Sequence, residues 1–482
     1  MPGFKFDHSY ISLPENLFCR AQPQKTGKPE LILYNELLDK TLGLEFANER
    51  KEILAAIFSG QKIPEGAYPI AQAYAGHQFG HFNQLGDGRA ILLGEHIGPD
   101  NKRYDIQFKG SGITPYSRRG DGQATLSAML REYLYSEAMH GLGIATTRSL
   151  AVVKTGEEVV RQELNEGAIL TRIASSHIRV GSFEYAAHLQ GKDTLRALFD
   201  YTIERHFPHL KEKENPALAL LGEVMQKQIA LITEWMRVGF IHGVMNTDNA
   251  SISGETIDYG PCAFMNAYDP STVFSSIDTN GRYAFGNQPS IAHWNMGCLA
   301  SALLMLIDDH QDTAIEKVKA LLLTFPESFR KAYYHMLGRK TGLLNPDDAE
   351  KKLIDELLEM MKMHQADYTN MFAHLMNIPV PDHAVYQTQE FLTWKSKWQE
   401  RITQKNETGE IKECMKAANP VYIPRNYLVE EALDHFTSNQ NSTLFDQLLI
   451  RMKNPYDYDA KDYSLQQPPH NGDTHYQTFC NT

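Results

Sequence analysis

The chain has 482 residues, of which 42% are hydrophobic and 22% are charged, and its formal net charge is −12. This composition is typical of a soluble globular protein with two or three lobes, and the negative charge argues against broad binding of nucleic acid or anionic membranes. No apolar run approaches the 18 or so residues that span a bilayer, and the first residues show no secretion signal. We therefore expect a cytoplasmic protein, monomeric, without nucleic-acid or membrane partners.

The cysteines give no sign of a scaffold built on disulfides or zinc. Five are present, at positions 19, 262, 298, 414 and 480. Their number is odd and no two have the short spacing of a paired motif. A reducing compartment, with no disulfide framework and no structural zinc site, is the expectation from the sequence.

The first part of the chain is predicted to be irregular to about residue 46, then helical through "ANERKEILAAIFSG". From 85 to 175 short strands follow, among which "RAILLGEHI" and "KRYDIQFKG" read as an adjacent pair, followed by "SLAVVK", "EEVVRQEL" and "GAILTRIA". One helix interrupts them over residues 124–141, because Met129, Leu130 and Tyr133 recur at helical spacing and Gly141 provides a stop.

From residue 193 onward helical patterns dominate. The segment 215–240 is strongly periodic and begins near Pro216, and three further segments between 290 and 363 repeat that character. "LASALLMLI", at 299–307, is predicted to be part of a buried helix. The last thirty or so residues are polar and contain proline, which favours a tail that lies on the surface or is partly disordered.

These elements predict an α+β fold of the protein-kinase-like bilobal type. The strand-rich small lobe would cover residues 71–185 and the helical large lobe residues 186–453. An N-terminal extension, 1–70, and a C-terminal tail, 454–482, would flank them.

A lysine and a glutamate in the small lobe indicate a nucleotide site. Lys109 ends the strand "DIQFK", and Glu132 lies 23 residues later in the predicted helix, where it can face the sheet. A strand lysine paired with a helix glutamate is the kinase device for holding phosphates. Taken singly, a lysine at a strand end is more often solvated.

Glycines and cations elsewhere in the small lobe are weaker signals. Those that could contact phosphate are Gly86, Gly88, Arg89, Arg118, Arg119, Asp121, Gly122, Arg172 and Arg179. "LGDGR" is also a common hairpin turn, and "SRRGDG" is also a common exposed loop. Arg172 interrupts an apolar run and needs an anionic partner, so a structural salt bridge and a phosphate contact are equally compatible with it.

The strongest signal is "GFIHGVMNTDNASISGETIDYGP", residues 239–261. His242 and Asn249 have the spacing of the kinase catalytic loop, but Val244 stands where that loop has its aspartate. Asn249 and Asp258 could hold Mg²⁺ through oxygen ligands. Asp248 is the only acid that could accept a hydroxyl proton, although it could instead support the metal ligands, and His242 is predicted to be structural.

Together these strings resemble the selenoprotein O family of protein adenylyltransferases, which have a pseudokinase fold. The resemblance rests on "YAGHQFGHFNQLGDGRA", "QFKGSGITPYSRRGDG", "LREYLYSEAMHGLGIATTRSLAVV", "GFIHGVMNTDN", "IDYGP", "WNMGCLASAL" and "NPVYIPRNYL", and covers most of residues 70–430.

The resemblance implies that ATP binds flipped relative to kinases and that AMP passes to Ser, Thr or Tyr hydroxyls of client proteins, with release of pyrophosphate. Transfer of UMP is a further option. The implied nucleotide contacts are Gly86, Gly88, Arg89, Lys109, Asp121, Gly122, Arg172, Arg179 and Asp258. Glu132 would pair with Lys109, Asp248 would accept the proton, and Asn249 and Asp258 would hold Mg²⁺ or Mn²⁺.

Two rival functions stay open at this point. One is a true kinase that transfers the γ-phosphoryl group, and the other is a catalytically silent nucleotide-binding scaffold, which Val244 favours. The family often carries a selenocysteine or cysteine near its C-terminus. A disulfide between Cys262 and Cys480 is therefore one hypothesis, and a buried Cys262 with a free tail thiol is the other.

Overall fold

The computed structural model describes residues 3–189, 191–404, 408–470, 472–473 and 476–478. Its strands are β1 (Phe6–Asp7), β2 (Phe18–Arg20), β3 (Glu30–Tyr34), β4 (Ile70–Gln72), β5 (Ala75–Gln78), β6 (His81–Gln84), β7 (Ala90–Ile97), β8 (Arg103–Lys109), β9 (Arg148–Val160), β10 (Leu164–Ala174), β11 (Phe240–Ile241) and β12 (Ala263–Phe264).

The helices of the first half are α1 (Glu36–Leu42), α2 (Lys51–Phe58), α3 (Leu126–Gly141), α4 (Val180–His188), α5 (Lys192–His206) and α6 (Pro216–Val238). Those of the second half are α7 (Gln288–Ile307), α8 (Gln311–Leu322), α9 (Phe325–Thr341), α10 (Asp348–Met363), α11 (Tyr368–Leu375), α12 (Gln389–Gln404), α13 (Thr408–Ala418), α14 (Asn426–Asn439) and α15 (Thr443–Lys453).

The main sheet of the small lobe is antiparallel in the order β2-β4-β7-β8-β10-β9-β3, with β1 added beside β7, and β5 and β6 form a separate two-stranded sheet. Strands β1, β2 and β3 belong to the predicted N-terminal extension, which is therefore partly built into the sheet and is not irregular throughout. Neighbouring residues of its strands enter two different cores, since Val152 and Leu170 pack on the α3 side whereas Val153 and Ile169 pack on the side of α1 and α2. This alternation is what the two-residue period of a strand requires. The sheet is therefore covered on both faces.

The predicted pair of strands is confirmed as β7 and β8, but the three strands predicted after α3 are only two. Gly156 looked like a break between "SLAVVK" and "EEVVRQEL", yet β9 runs through it to Val160. At φ +75° this glycine adopts a backbone conformation that other residues avoid, and a Cβ there would lie 2.7 Å from the backbone of Lys28. The glycine lets a bulged strand continue where the sequence suggested a turn.

Helix α3 confirms the predicted helix and begins two residues later than expected. The hydroxyl of Thr125 caps it by accepting from the backbone N–H of Ala128 at 3.3 Å. Its residues Leu130 and Leu134 are fully buried against the sheet. Glu132 shares a helix face with Met129 and Ser136, three residues before it and four after it, and all three are buried in the lobe interior.

The large lobe is helical, as predicted, and α6 and α7 pack against each other at its centre. Asn215 caps α6 through a bond from Leu218 at 3.0 Å, Pro216 occupies the first turn, and Gly239 ends the helix in the left-handed conformation. By length and composition, the span Phe285–Ile307 could cross a membrane, although half of that window is buried inside the protein. The predicted buried helix at 299–307 is the second half of α7.

Main-chain hydrogen bonds join the two lobes beside the loop 246–258. Val180 donates to Ala250 at 2.8 Å, and Ile252 donates to Ile178 at 3.0 Å. On the other side of the loop, Thr147 donates to Thr256 at 3.0 Å. A Cβ on Gly181 would lie 1.9 Å from the carbonyl oxygen of Ala75, so α4 and β5 touch through their backbones.

The described part of the predicted tail packs on the large lobe. Asp473 accepts hydrogen bonds from the backbone and side chain of Asn266 at 2.9 and 2.6 Å, and Leu465 is buried. Cys262 is buried as a free thiol. Cys480 lies outside the described residues, so the hypothesis of a disulfide between Cys262 and Cys480 stays a prediction.

Candidate active site

A cleft of about 350 Å³ lies between the sheet and the loop 244–261. That volume is within the range of small-molecule sites. Eight of the residues singled out from the sequence line it: Gly88, Arg89, Lys109, Arg172, Arg179, Asp248, Asn249 and Asp258. The fold therefore brings residues from the turn before β7, from β8 and β10, from the start of α4 and from the large-lobe loop to one place.

Lys109 is the centre of a buried ion cluster. Its Nζ lies 2.5 Å from Glu132 Oε2 and also contacts Asp258 Oδ1. The side chains of Lys109 and Glu132 are 3% and 2% exposed. Removing either charge would leave the other only partly compensated in a site of low dielectric, by Asp258 beside Lys109 or by Arg172 beside Glu132. The predicted pairing of lysine with glutamate is present, and it extends across the cleft to Asp258.

Arg172 is held in place by polar side chains behind the cleft wall. Its guanidinium donates to Gln107 Oε1 through Nε at 3.1 Å and Nη2 at 2.5 Å, and its Nη1 lies 3.4 Å from Glu132 Oε1. Gln107 in turn donates to Asp87 Oδ2 at 3.2 Å. The structural ion pair predicted for Arg172 is present, and because the residue also lines the cleft, the phosphate contact stays a prediction.

Arg179 occupies the residue before α4 and packs over the Tyr74 ring at 4.3 Å. Its Nη1 donates to the carbonyl of His177 at 2.9 Å, and its Nη2 is 3.7 Å from Asp87 Oδ1. Burial disfavours the charged form of the guanidinium, but the nearby groups Tyr74, Asp87, Asp248 and Asp258 outweigh the effect of burial. They raise the pKa of Arg179 above its usual value. The guanidinium is therefore a fixed cation at the inner end of the cleft.

Arg89 differs from the other three cations. It lines the cleft, and within the described part of the chain it has no ion pair or hydrogen bond through its side chain. Its charge still acts at a distance, because it is among the groups that lower the pKa of Asp258. A cation of this kind is available to a ligand without first losing a protein partner.

His242 is structural, as predicted. Its ring is buried and stacks on Trp235 with centroids 5.2 Å apart. Its Nε2 donates to the carbonyl of Ile257 at 2.9 Å, and its Nδ1 accepts from the backbone of Val244. Burial lowers the pKa of His242, so the ring is neutral and joins the two halves of the loop.

Asn249 and Asp258 present oxygen atoms suited to a hard divalent cation. The Asn249 amide nitrogen donates to Val244 at 3.1 Å, which leaves its oxygen for the cleft. Burial opposes ionisation of Asp258, but Lys109, Arg89 and Arg172 hold its pKa well below the ordinary value. An ionised carboxylate beside an amide oxygen is a donor set that fits Mg²⁺ or Mn²⁺.

Asp248 is a carboxylate of a different kind. Its Oδ1 is buried and has no hydrogen-bond partner among the described residues. Burial raises the pKa of Asp248 to about 6, and Asp258 adds to the effect, whereas Arg179 opposes it. A carboxylate with a raised pKa and an unpaired oxygen in a cleft is suited to accept a proton.

A family model described as "Protein adenylyltransferase SelO" matches residues 3–453 of the chain. The chain belongs to the SelO family. A "Protein nucleotidyltransferase YdiU" from Brevibacillus brevis is 51% identical over 482 residues, which are 100% of this chain and 98% of that relative. A protein of the same name from Pelagibacter ubique is 51% identical over 481 residues and 99% of its own length.

Among solved structures, ROP2 from Toxoplasma gondii resembles this SelO-family chain at 12% identity. It is described as a virulence factor with a protein-kinase fold and no enzymatic activity, and it covers 69% of this chain and 87% of its own. The TM-score is 0.23, which is too low to show a shared fold. The two-lobed fold rests on the sheet, helix α3 and the helical lobe themselves.

Three residues predicted for the SelO-family nucleotide site lie outside the lining of the cleft. The Asp121 carboxylate is half exposed and forms two hydrogen bonds with Arg161, at 2.7 and 3.1 Å. Gly122 packs on Gly112, and Gly86 packs on the Tyr116 ring, where in each case a Cβ would clash. Their assignment as nucleotide contacts remains a prediction.

Sequence reasoning overlooked several residues that line the cleft of this SelO-family chain: Tyr74, Gln78, Phe79, Asp87, Asn246 and Ile277. Asp87 had a visible signal, since it stands between two glycines directly before Arg89. Asn246 accepts from the backbone of Phe79 at 3.1 Å, a contact between segments 167 residues apart. No local sequence pattern predicts such a contact.

Proposed function

We propose that this chain transfers AMP from ATP to Ser, Thr or Tyr hydroxyls of other proteins and releases pyrophosphate. Membership of the SelO family gives the reaction class. The observation that carries the proposal to this chain is the separation of charges in the cleft. Cations line its inner wall, and Asp248, a carboxylate with a raised pKa and one unpaired oxygen, lies on the loop that faces them.

The inner wall is suited to hold a triphosphate that points inward. Arg89, Lys109, Arg172 and Arg179 would contact its β- and γ-phosphates, where negative charge develops as the bond between the α-phosphorus and its bridging oxygen breaks. Preplaced cations stabilise such a leaving group without reorganising during the reaction. A γ-phosphoryl transfer would instead place the reacting phosphorus away from this wall.

The acceptor hydroxyl would enter from the loop side. Its oxygen forms the new bond to the α-phosphorus, its proton passes to a carboxylate oxygen of Asp248, and pyrophosphate leaves on the opposite side. The pairing with Glu132 and Asp258 keeps Lys109 from moving, so the inner wall holds its geometry through the step.

Asn249 and Asp258 would hold Mg²⁺ or Mn²⁺. The four cations of the cleft face three carboxylates, Asp87, Asp248 and Asp258, so the protein alone has little net charge with which to offset a triphosphate. When bound, the metal ion supplies that positive charge.

Labelled nucleotide distinguishes this function from its two rivals. The chain is incubated with a candidate protein acceptor, Mg²⁺ or Mn²⁺, and ATP labelled at either the α- or the γ-phosphate. We expect protein-bound label from the α position only. Label from the γ position would establish a kinase, and label from neither would favour the scaffold that Val244 suggests. UTP labelled at the α position tests uridylyl transfer in the same assay.

The rate of transfer should rise with pH through about 6. Because burial raises the pKa of Asp248 to that value, the carboxyl is protonated below it and cannot accept the hydroxyl proton. The rate under subsaturating substrate should therefore fall about tenfold for each pH unit below 5. Asp248→Asn should lose most activity and this dependence, and a wild-type profile that stays flat from pH 5 to 7 would contradict the assignment.

We propose that the protein acts as a monomer in the cytoplasm on protein substrates, without nucleic acid or membrane. The net charge of −12 supports the exclusion of polyanionic partners.

A further inference from the structure

Outside the cleft, three potential metal ligands meet from distant parts of the chain. His77 lies in β5, Glu184 in α4 and Cys298 in α7. His77 Nδ1 is 2.5 Å from Glu184 Oε1, and one ligand atom from each of the three residues lies within 4.8 Å of the other two. No short spacing in the sequence connects them, which is why the cysteine pattern led us to expect no structural zinc site.

The glutamate of this cluster has an unsatisfied oxygen. The Glu184 side chain is 5% exposed, and its Oε2 is buried without a hydrogen-bond partner among the described residues. A buried carboxylate oxygen without a partner is costly, and a bound cation is one of the ordinary ways to satisfy it. Burial, with the nearby Glu184 carboxylate, also raises the pKa of the Cys298 thiol. A cation between the Glu184 carboxylate and the Cys298 sulfur would give the unpaired oxygen a partner and would stabilise the thiolate.

We propose that His77, Glu184 and Cys298 bind one divalent transition-metal ion of the zinc class. An imidazole nitrogen, a carboxylate oxygen and a thiolate sulfur form a borderline-soft donor set, which selects zinc over magnesium. Zinc lies about 2.0–2.3 Å from such atoms, which places tetrahedral ligands roughly 3.3–3.8 Å apart. The 2.5 Å contact between His77 and Glu184 must therefore open on binding, and any separation near the 4.8 Å limit must close. On binding, the Cys298 S–H bond gives way to a metal–sulfur bond, and the proton leaves to solvent.

The surroundings of the cluster suit such a site. It opens into a groove whose lining includes Phe82, His188 and Trp294. The rings of Trp294 and Phe82 pack edge-on against His77 at 5.2 and 5.4 Å, which fixes the orientation of the imidazole. With three protein ligands, a tetrahedral ion keeps its fourth position for water on the open side of the groove.

The proposed site also lies directly behind the loop of the candidate active site. The backbone N–H of His77 donates to the hydroxyl of Thr247 at 2.7 Å, and Thr247 precedes Asp248. The two metal sites differ in chemistry, since Asn249 and Asp258 offer only oxygen atoms. An ion at His77 would tie β5 to α4 and α7, and so hold the strand on which the loop rests.

Cobalt titration tests the proposal. The full chain is stripped with a chelator, kept in excess Mg²⁺ to occupy the oxygen site, and titrated with Co²⁺, whose bond to a thiolate gives a near-ultraviolet charge-transfer band. We expect one equivalent to bind with that band, and Zn²⁺ to displace it. Cys298→Ser should abolish the band and weaken Co²⁺ binding at least about tenfold, because even partners that only orient a ligand contribute that much.

Cys414→Ser is the matched control, since Cys414 is another free, half-buried thiol on a helix. It should keep both the band and the affinity. If Cys298→Ser lowers the melting temperature of the metal-free protein, His77→Gln is used instead, with the same expected weakening of binding. Absence of Co²⁺ uptake, uptake without the thiolate band, or a band unchanged in Cys298→Ser would each overturn the proposal.

Discussion

Asp258→Asn is expected to reduce transfer of α-phosphate label to protein by on the order of 100-fold or more. The substitution removes the charge that faces Lys109 and that would bind the metal ion. It keeps the shape of the side chain and suits the backbone, because Asp258 has φ +69° and asparagine tolerates positive φ better than alanine does. The loss is measured as initial rate with ATP labelled at the α position.

The matched control for this substitution is Asp309→Asn. Asp309 is 92% exposed and pairs at 3.2 Å with the surface residue Lys192, so its replacement should leave the rate unchanged. Urea unfolding of both variants shows whether the protein remains folded. A folded Asp258→Asn variant that labels protein at the wild-type rate would remove Asp258 from the metal site.

Glu132→Gln should lower the free energy of unfolding by roughly 3–5 kcal/mol, because it removes the carboxylate shared by two buried cations and leaves only Asp258 beside Lys109. Glu132 is 2% exposed and contacts Lys109 through one oxygen and Arg172 through the other. A glutamine must turn its NH₂ group towards one of these cations. The measurement is urea denaturation followed by circular dichroism.

Glu327→Gln provides the comparison, because Glu327 also pairs with an arginine, Arg330 at 2.9 Å, but both side chains are more than half exposed. An exposed pair contributes less than about 1 kcal/mol, so this variant should unfold almost like the wild type. Lys109→Met combined with Glu132→Gln should cost less than the sum of the single changes, since the pair is lost together. Equal destabilisation by Glu132→Gln and Glu327→Gln would contradict the buried-cluster interpretation.

The pairing of Lys109 with Glu132 could be predicted from the sequence because both residues sit in strongly patterned elements. The apolar alternation of β8 and the helical period of α3 each fix which way a side chain points. The loop of Asn249 and Asp258 could be predicted from its spacing and its glycine-containing turn. In both cases the information is local, and the fold had only to bring two such elements together.

What could not be predicted depends on contacts between distant segments. Arg172 and Arg179 are seven residues apart, which allowed a helix, but one belongs to β10 and the other precedes α4. Gln107 and Asp87 hold Arg172 and Arg179 in place through side chains that no spacing rule connects. Likewise, Gly156 reads as a break in a strand until the bulge that it permits is seen.

The main-chain bonds on both sides of the loop 246–258 have a consequence for how activity is lost. Val180 bonds to Ala250 and Ile252 to Ile178 on one side, and Thr147 bonds to Thr256 on the other, so the loop that carries Asp248 is part of the junction between the lobes. The loop can therefore unfold locally only if the lobes separate. Loss of activity in denaturant and separation of the lobes should be one cooperative transition, and an inactive but otherwise folded enzyme should not accumulate.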